Sequence, residues 1–380
     1  MRIGQEKMLE ITNLRSGAVL NRHHGIETPD HLEITVEGIA DTQAEVKVNG
    51  QVVQRRDRNF AAKVRLTKRI NKITAEASDH YGERTLTLTV MWDKGSFRRY
   101  NFFIDDCSFF LRRIALARPA SLFDEMFLGR LKAVHEKYGS KFLLNLFFHD
   151  DHHDFSITDF PAAYKAEFQA NRDWLRLSFH AKSEFPDRPY QNASETKLAA
   201  DHDEVFREIC RFAGPECFIP PMGLHWAITN PENFQVLKER GTRCLSGGFL
   251  GSIAAIGEKH ALEVTDLGYH YEQDAARYIC KEAHLMYDAK YDLVLIDGFI
   301  CCNFDDIPTL RRKFASVQGD LDVLNIMTHE QYSYPDYFNY IPDHPDRIEE
   351  ACRLAAESGF EPVWFPEGLL GNTAWEDMQS

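Results

Sequence analysis

Two adjacent aspartates interrupt an apolar segment in the first third of the chain. Residues 102–104 are Phe-Phe-Ile, Asp105 and Asp106 follow directly, and apolar residues resume at Phe109. Burying a carboxylate costs several kcal/mol unless it is paired or bound to a cation. The segment therefore predicts a site at which two acids hold a positively charged group.

Histidine and carboxylate side chains also follow other apolar segments. His180, His225 and His329 each stand at or near the end of such a segment. Histidine and carboxylate together suit a borderline divalent ion such as zinc, cobalt or nickel. Such an ion lowers the pKa of a water toward about 7, and a second carboxylate can act on that water as general base. Because the two aspartates stand where a strand ends, one can bind the ion while the other faces the water.

Residues 149–154, His-Asp-Asp-His-His-Asp, have the composition of a metal site. Consecutive side chains point in different directions, so they cannot all face one ion. Three interpretations stay open for this segment: part of the main site, a surface metal site, or a solvated loop.

Short alternating segments dominate the N-terminal part of the chain. Apolar and polar residues alternate in segments such as 31–40 and 83–92, and turn dipeptides such as Asn49-Gly50 separate them. This pattern predicts a small all-β domain over residues 1–96, an immunoglobulin-like sandwich. We expect this domain to serve as a spacer or packing domain rather than to contribute catalytic residues.

Residues 97–380 show a different pattern, in which short apolar strands alternate with amphipathic helices. Such alternation predicts an α/β domain whose parallel sheet is closed, or nearly closed, into a (β/α) barrel. Active sites of these barrels gather at the C-terminal ends of the strands. The aspartates and histidines stand at those ends, so we expect them to form an active site.

Four motifs resemble those of the polysaccharide deacetylases, and more closely an uncharacterised glycoside hydrolase/deacetylase branch. They are FFIDDCS (102–108), FHAKSEFP (179–186), FIPPMG (218–223) and NIMTHEQ (325–331). The resemblance implies a distorted (β/α)7-type barrel and a divalent metal, which in that family is usually zinc. It also implies that Asp106 and His180 bind the metal, that Asp105 is the general base, and that His329 is the general acid.

The sequence departs from this family pattern at two positions. Glu184 stands four residues after His180, where the family has a second metal-binding histidine, and Ile219 stands where the family has an arginine. The metal shell is therefore either Asp106, His180 and Glu184, or a set in which His225 or another histidine replaces the glutamate.

The resemblance implies a metal-dependent hydrolase that acts on a carbohydrate, most directly by deacetylating an amino sugar or an acetylated saccharide. Two other functions stay open: cleavage of a glycosidic bond by paired carboxylates, in which Asp105 or Asp106 acts with Glu330 or Glu184, and non-catalytic carbohydrate binding by a barrel that has lost its metal. The residues that we expect to contact the substrate are His225, Trp226, Glu330 and Tyr332.

The composition argues against several partners. The formal charge of −14 disfavours nucleic acid and anionic membrane surfaces. No apolar run approaches the ~20 residues that span a bilayer, and the first residues contain no apolar segment of a secretory signal. We therefore expect a cytoplasmic protein with reduced thiols, and the sequence makes no prediction about its oligomeric state.

Overall fold

The computed structural model describes residues 8–80, 82–247, 273–317, 319 and 321–376. These residues form a mixed α/β structure with a sheet-rich N-terminal region. The chain divides into two compact units: the first contains Met1–Ser96, Leu285–Asp292 and Asn372–Ser380, and the second contains Phe97–His284 and Leu293–Gly371.

The described strands and helices have the following bounds. The strands are β1 Leu9–Ile11, β2 Val19–Leu20, β3 Gly25–Glu27, β4 Leu32–Ala40, β5 Glu45–Val48, β6 Gln51–Val52, β7 Arg55–Arg56, β8 Asn59–Leu66, β9 Ile70–Asp79, β10 Gly82–Trp92, β11 Arg99–Cys107, β12 Phe142–Phe147, β13 His149–Asp150, β14 Phe155–Ser156, β15 Leu175–Ala181, β16 Cys244–Gly247, β17 Leu285–Asp288, β18 Leu293–Asp297, β19 Ile300–Cys301, β20 Val323–His329 and β21 Glu361–Pro362. The α-helices are α1 Phe109–Ala117, α2 Met126–Tyr138, α3 Lys165–Ala170, α4 Glu195–Phe212, α5 Asn233–Glu239, α6 Gln273–Tyr278, α7 Ile307–Ser316 and α8 His344–Glu357. Single turns of 3-10 helix include His225–Ala227 and Glu330–Ser333.

The first unit contains two sheets around one apolar core. One sheet has the strand order β1-β4-β8-β7, with β3 also paired to β4, and the other has the order β2-β10-β9-β5-β6. Alternate residues of the long strands are buried, such as Val36 in β4 and Ile73 in β9, and they belong to one shared cluster. This arrangement agrees with the sheet-rich prediction, and the immunoglobulin-like topology stays a prediction.

The second unit is organised around a parallel sheet with the strand order β15-β12-β11-β20-β19. All its neighbouring strands pair in parallel, and β21 pairs with the first residues of β11. Strands β16 and β18 form a separate parallel pair. Over the described ranges these strands do not close into a barrel, so the predicted barrel is not confirmed.

The central strands are buried along their whole length, which shows that both of their faces are covered. Every residue of β11 and of β12 is buried. Parallel sheets covered on both faces read as continuous apolar runs rather than as alternating ones. Because β15, β12, β11 and β20 pair in parallel, the carboxyl ends of β11, β15 and β20 lie at the same edge of the sheet. Asp105, His180 and His329 lie at this edge.

All eight cysteines are free thiols. Over the described ranges, no helix combines the length and the apolar character needed to cross a membrane.

Candidate metal centre

Irregularities in two strands position the acidic and histidine side chains. The pairing of β11 with β12 shifts between Ile104 and Cys107, so Asp105 and Asp106 form a bulge. The pairing of β12 with β15 skips His180 in the same way. Bulges redirect side chains at the ends of strands and are frequent beside active sites. Asp106 also has a φ of 57°, in the left-handed region that non-glycine residues seldom adopt.

Three side chains bring their polar atoms into one small triangle. Asp106 Oδ1 lies 3.0 Å from His180 Nε2 and 3.3 Å from His225 Nδ1, and the two histidine nitrogens are 3.2 Å apart. All three residues are buried. A metal ion could be held by this group, because each residue offers one ligand atom and these atoms all lie within 4.8 Å of one another.

The triangle fits a metal shell better than a hydrogen-bond network. If both imidazoles donated to the carboxylate of Asp106, their two N–H groups would face each other at 3.2 Å. Donors about 2.0–2.2 Å from a tetrahedral zinc ion lie roughly 3.3–3.6 Å apart, and the three observed separations lie at or just below the lower end of that range. One carboxylate with two imidazoles is a donor set that suits zinc.

The charges within the cluster stabilise one another. Burial alone would raise the pKa of Asp106, but His329, His180 and His225 together hold it well below its usual range. Burial alone would lower the pKa of His180, but the carboxylates of Asp105 and Asp106 raise it. The cluster therefore holds an ionised aspartate at neutral pH, the form that binds a cation.

Asp105 and His329 flank the triangle. Asp105 Oδ1 accepts a hydrogen bond from Asn145 Nδ2 at 2.6 Å and lies 3.5 Å from His180 Nδ1. His329 Nε2 lies 3.9 Å from Asp106 Oδ2, and its Nδ1 donates to Asn303 Oδ1 at 2.9 Å. The structure thus brings together five of the residues predicted from the sequence: Asp105, Asp106, His180, His225 and His329.

Glu184 does not belong to the triangle. Its Oε2 accepts hydrogen bonds from His152 Nε2 at 2.6 Å and from Gln331 Nε2 at 2.8 Å. Of the two metal shells left open by the sequence, the described geometry brings together the one that contains His225. His225 approaches from the 3-10 turn His225–Ala227, which lies near the third motif.

Glu330 lies away from any exposed surface. It is fully buried, and its carboxylate accepts backbone N–H groups of Ser108, Phe109 and Phe110 at 2.7, 3.0 and 2.6 Å. Burial raises the pKa of Glu330 to about 8, and the three N–H donors act against that rise. Its contacts fit a carboxyl group that caps the N-terminus of α1 rather than a group that touches a substrate.

Trp226 and Tyr332 lie beside the centre. The half-buried Trp226 ring lies 6.1 Å from the His225 ring, and the guanidinium of Arg188 lies 5.4 Å from its centroid. The Tyr332 ring lies 6.0 Å from the His329 ring. Burial, and next the charge of Asp106, raise the pKa of Tyr332 to about 12, so its hydroxyl stays protonated.

The histidines of residues 149–154 lie outside the triangle. His152 pairs with Glu184, and His153 Nδ1 lies 3.0 Å from Asp150 Oδ2. His149 Nε2 lies 3.7 Å from the nearest carboxylate oxygen of Asp151. Within the described residues, this segment contributes no member to the candidate metal group.

Sequence reasoning missed two asparagines that support the centre. Asn145 is a buried polar residue inside the apolar strand β12, and this contrast is a usable sequence signal. Asn303 follows the short strand β19 in an irregular segment, and its neighbours give no comparable signal.

Comparisons with known proteins give only distant similarities. No family model matches the sequence, and no curated protein matches it. The chain is similar to a family 4 acetyl xylan esterase from Clostridium thermocellum in complex with a cobalt ion, at 13% identity and a TM-score of 0.35, over 70% of this chain and 87% of that chain. It is also similar to a GH5 xyloglucanase from Bacteroides ovatus, at 10% identity and a TM-score of 0.21, over 88% of this chain and 75% of that chain.

A third similarity covers a small part of both proteins. An engineered protein shares 17% identity at a TM-score of 0.17, over 23% of this chain and 20% of that chain. The chain thus spans 20% of the length of that protein. At these TM-scores we base no assignment on the similarities.

Proposed function

We propose that the chain is a metal-dependent hydrolase that removes an acetyl group from an amino sugar or another acetylated saccharide, with zinc as its metal. The triangle of Asp106, His180 and His225, flanked by Asp105 and His329, carries this proposal. In this proposal the catalytic groups belong to a distorted (β/α)7-type barrel domain of residues 97–380, preceded by an immunoglobulin-like domain of residues 1–96.

Each residue has a role that follows from its position. Asp106, His180 and His225 would hold the zinc ion, which acts as a Lewis acid on an acyl oxygen and on water. Asp105, whose Oδ1 lies 3.5 Å from His180 Nδ1, would take the proton of the attacking water. Asn145 orients the Asp105 carboxylate by donating to it.

His329 would protonate the leaving amine or alcohol. Because Asn303 Oδ1 accepts from Nδ1, the ring is fixed with Nε2 toward Asp106. Asn303 binds one nitrogen of the His329 ring, so the other nitrogen, Nε2, remains directed toward the triangle. When it carries a proton, Nε2 can donate that proton to a leaving group there.

Exposed aromatic side chains support a saccharide as the substrate. Phe185 and Phe338 are 51% and 75% exposed, and both lie near His152, whose partner Glu184 follows β15. Exposed aromatic rings beside a polar centre offer flat apolar surfaces, and sugar rings present matching apolar faces.

No described pair of carboxylates favours glycosidic cleavage. Asp106 faces two histidines, Glu184 is engaged by His152 and Gln331, and Glu330 is buried under α1. A glycosidase needs two carboxyl groups on either side of the scissile bond. We therefore put forward deacetylation alone.

Acetate release tests the proposal. Zinc-loaded protein is incubated with acetylated xylan, N-acetylated chito-oligosaccharides and acetylated glucosamine, and released acetate is measured. We expect Asp105→Asn and His329→Gln to lower kcat by about 10²–10⁴ without loss of zinc, and Asp173→Asn, an exposed acid, to leave it unchanged. The proposed hydrolase would be refuted if zinc-loaded wild-type protein released acetate from none of these substrates faster than Asp105→Asn does.

A further inference from the structure

A row of aromatic rings leads from His329 to an exposed surface. The ring centroids of His329 and Tyr332 are 6.0 Å apart, those of Tyr332 and Tyr337 are 5.3 Å apart, and those of Tyr337 and Phe338 are 4.5 Å apart. Phe338 is 75% exposed, whereas Tyr337 is buried. A large exposed aromatic ring at the end of a row that begins at the candidate centre is typical of a binding surface.

His152 joins a second exposed ring to this row. The His152 ring lies 6.1 Å from Phe338, 5.5 Å from Tyr337 and 6.1 Å from Phe185. Phe185 is 51% exposed. Two exposed phenylalanines therefore lie around one half-buried histidine.

Hydrogen-bond acceptors lie directly beside these rings. His152 Nε2 and Gln331 Nε2 both donate to Glu184 Oε2, at 2.6 and 2.8 Å. The Glu184 side chain is 15% exposed, so its carboxylate can accept a hydrogen bond from a ligand hydroxyl. The buried Gln331 holds this carboxylate in place by its donated hydrogen bond.

Apolar rings next to acceptors match the chemistry of a sugar, which combines an apolar C–H face with hydroxyl donors. We propose that His152, Glu184, Phe185, Gln331, Tyr337 and Phe338 form a subsite for a second sugar ring. The substrate is then an oligosaccharide or the end of a longer glycan rather than a single acetylated sugar. This inference rests on the proposed carbohydrate hydrolase and adds the extent of its substrate.

Glu184 gains a definite role in this subsite. It stands where the family resemblance places a metal ligand, but its carboxylate contacts His152 and Gln331 instead. A Glu184→Gln variant should therefore bind sugar more weakly and keep its zinc.

Titration calorimetry on the zinc-loaded full chain tests the subsite without turnover. The probes are unacetylated glucosamine and xylose oligosaccharides, from the monosaccharide to the tetrasaccharide. We expect wild-type affinity to rise from one ring to two or more in at least one series. Phe338→Ala and Glu184→Gln should remove this rise, which corresponds to about fivefold to tenfold weaker binding of the longer probes.

Leu116→Ala is the matched control, because Leu116 is an apolar residue of similar exposure, 68%, on α1. It should bind every probe like the wild type. Wild-type binding that is absent, or equal for one and four rings in both series, would overturn the subsite. A Phe338→Ala variant that binds every probe like the wild type would also overturn the subsite. If that variant changes only the oligomeric state, Phe338 contacts a second copy of the chain instead of a sugar.

The two proposals fail differently. Acetate release without dependence of affinity on chain length would overturn the subsite and leave the hydrolase intact. Binding that depends on chain length without acetate release would overturn the hydrolase and leave the subsite intact.

Discussion

Replacing His225 by alanine should remove one of the three donors to the metal. Structural zinc sites with four ligands bind with roughly 10–16 kcal/mol of apparent free energy, or about 2.5–4 kcal/mol per ligand. Asp106 and His180 remain in place, 3.0 Å apart. We therefore expect His225→Ala to bind zinc about 10²–10³-fold more weakly than the wild type.

Glu184→Ala provides the opposite comparison. Its carboxylate is half-buried and bound to His152 and Gln331, so its removal should leave zinc affinity within about threefold of the wild type. The two variants together discriminate between the two metal shells that the sequence left open.

Competition with a chromophoric chelator at a fixed pH measures the zinc affinity of each variant. Circular dichroism of the zinc-free proteins checks that both variants are folded, because His225 is buried and its ring packs 5.1 Å from that of Phe147. The assignment of His225 is refuted if His225→Ala retains wild-type zinc affinity while Glu184→Ala loses it. It is also refuted if neither variant changes that affinity.

Three further predictions concern stability. Glu330→Gln should lower the free energy of unfolding by about 2–3 kcal/mol, since an amide offers one acceptor oxygen to three backbone donors; a urea midpoint equal to that of the wild type would rule out the cap. Burial, helped by His329 and Arg347, lowers the pKa of His344 to about 3, so only its unfolded form binds a proton just below pH 6.5. The contribution of His344 to the free energy of unfolding is therefore complete above pH 6.5 and falls by about 1.4 kcal/mol per pH unit below it. Urea unfolding between about pH 7.5 and 5 should show a shallower decline of this free energy for His344→Gln than for the wild type. Removal of zinc by a chelator should lower the Tm of the wild type but not that of Asp106→Asn; equal shifts in both proteins would place the metal elsewhere.

The sequence predicted the mixed α/β class and the position of the acids because both leave local patterns. Mostly apolar segments indicated β11 and β12, and the two acids at the end of β11 contrasted with the apolar residues before them. Closure of a barrel depends on pairings between strands far apart in the chain, and local patterns do not determine these pairings.

The detailed geometry of the centre was beyond sequence reasoning for a physical reason. Whether Asp105 and Asp106 can face the same histidine depends on a bulge and on a φ of 57° at Asp106. Both features come from the register of neighbouring strands. The spacing of four residues from His180 suggested Glu184, but the loop that follows β15 brings its carboxylate to His152 instead.

The three donors of the triangle come from segments far apart in the chain. Asp106 and His180 are separated by 74 residues, and His180 and His225 by 45. A cation bound by all three residues would cross-link these segments, as a disulfide does. In the relation used for disulfides, a cross-link that closes a loop of this length lowers the conformational entropy of the unfolded chain by about 4 kcal/mol at 25 °C. The eight free thiols supply no such restraint. Metal binding would therefore raise the resistance of this domain to proteases, which cleave its unfolded form.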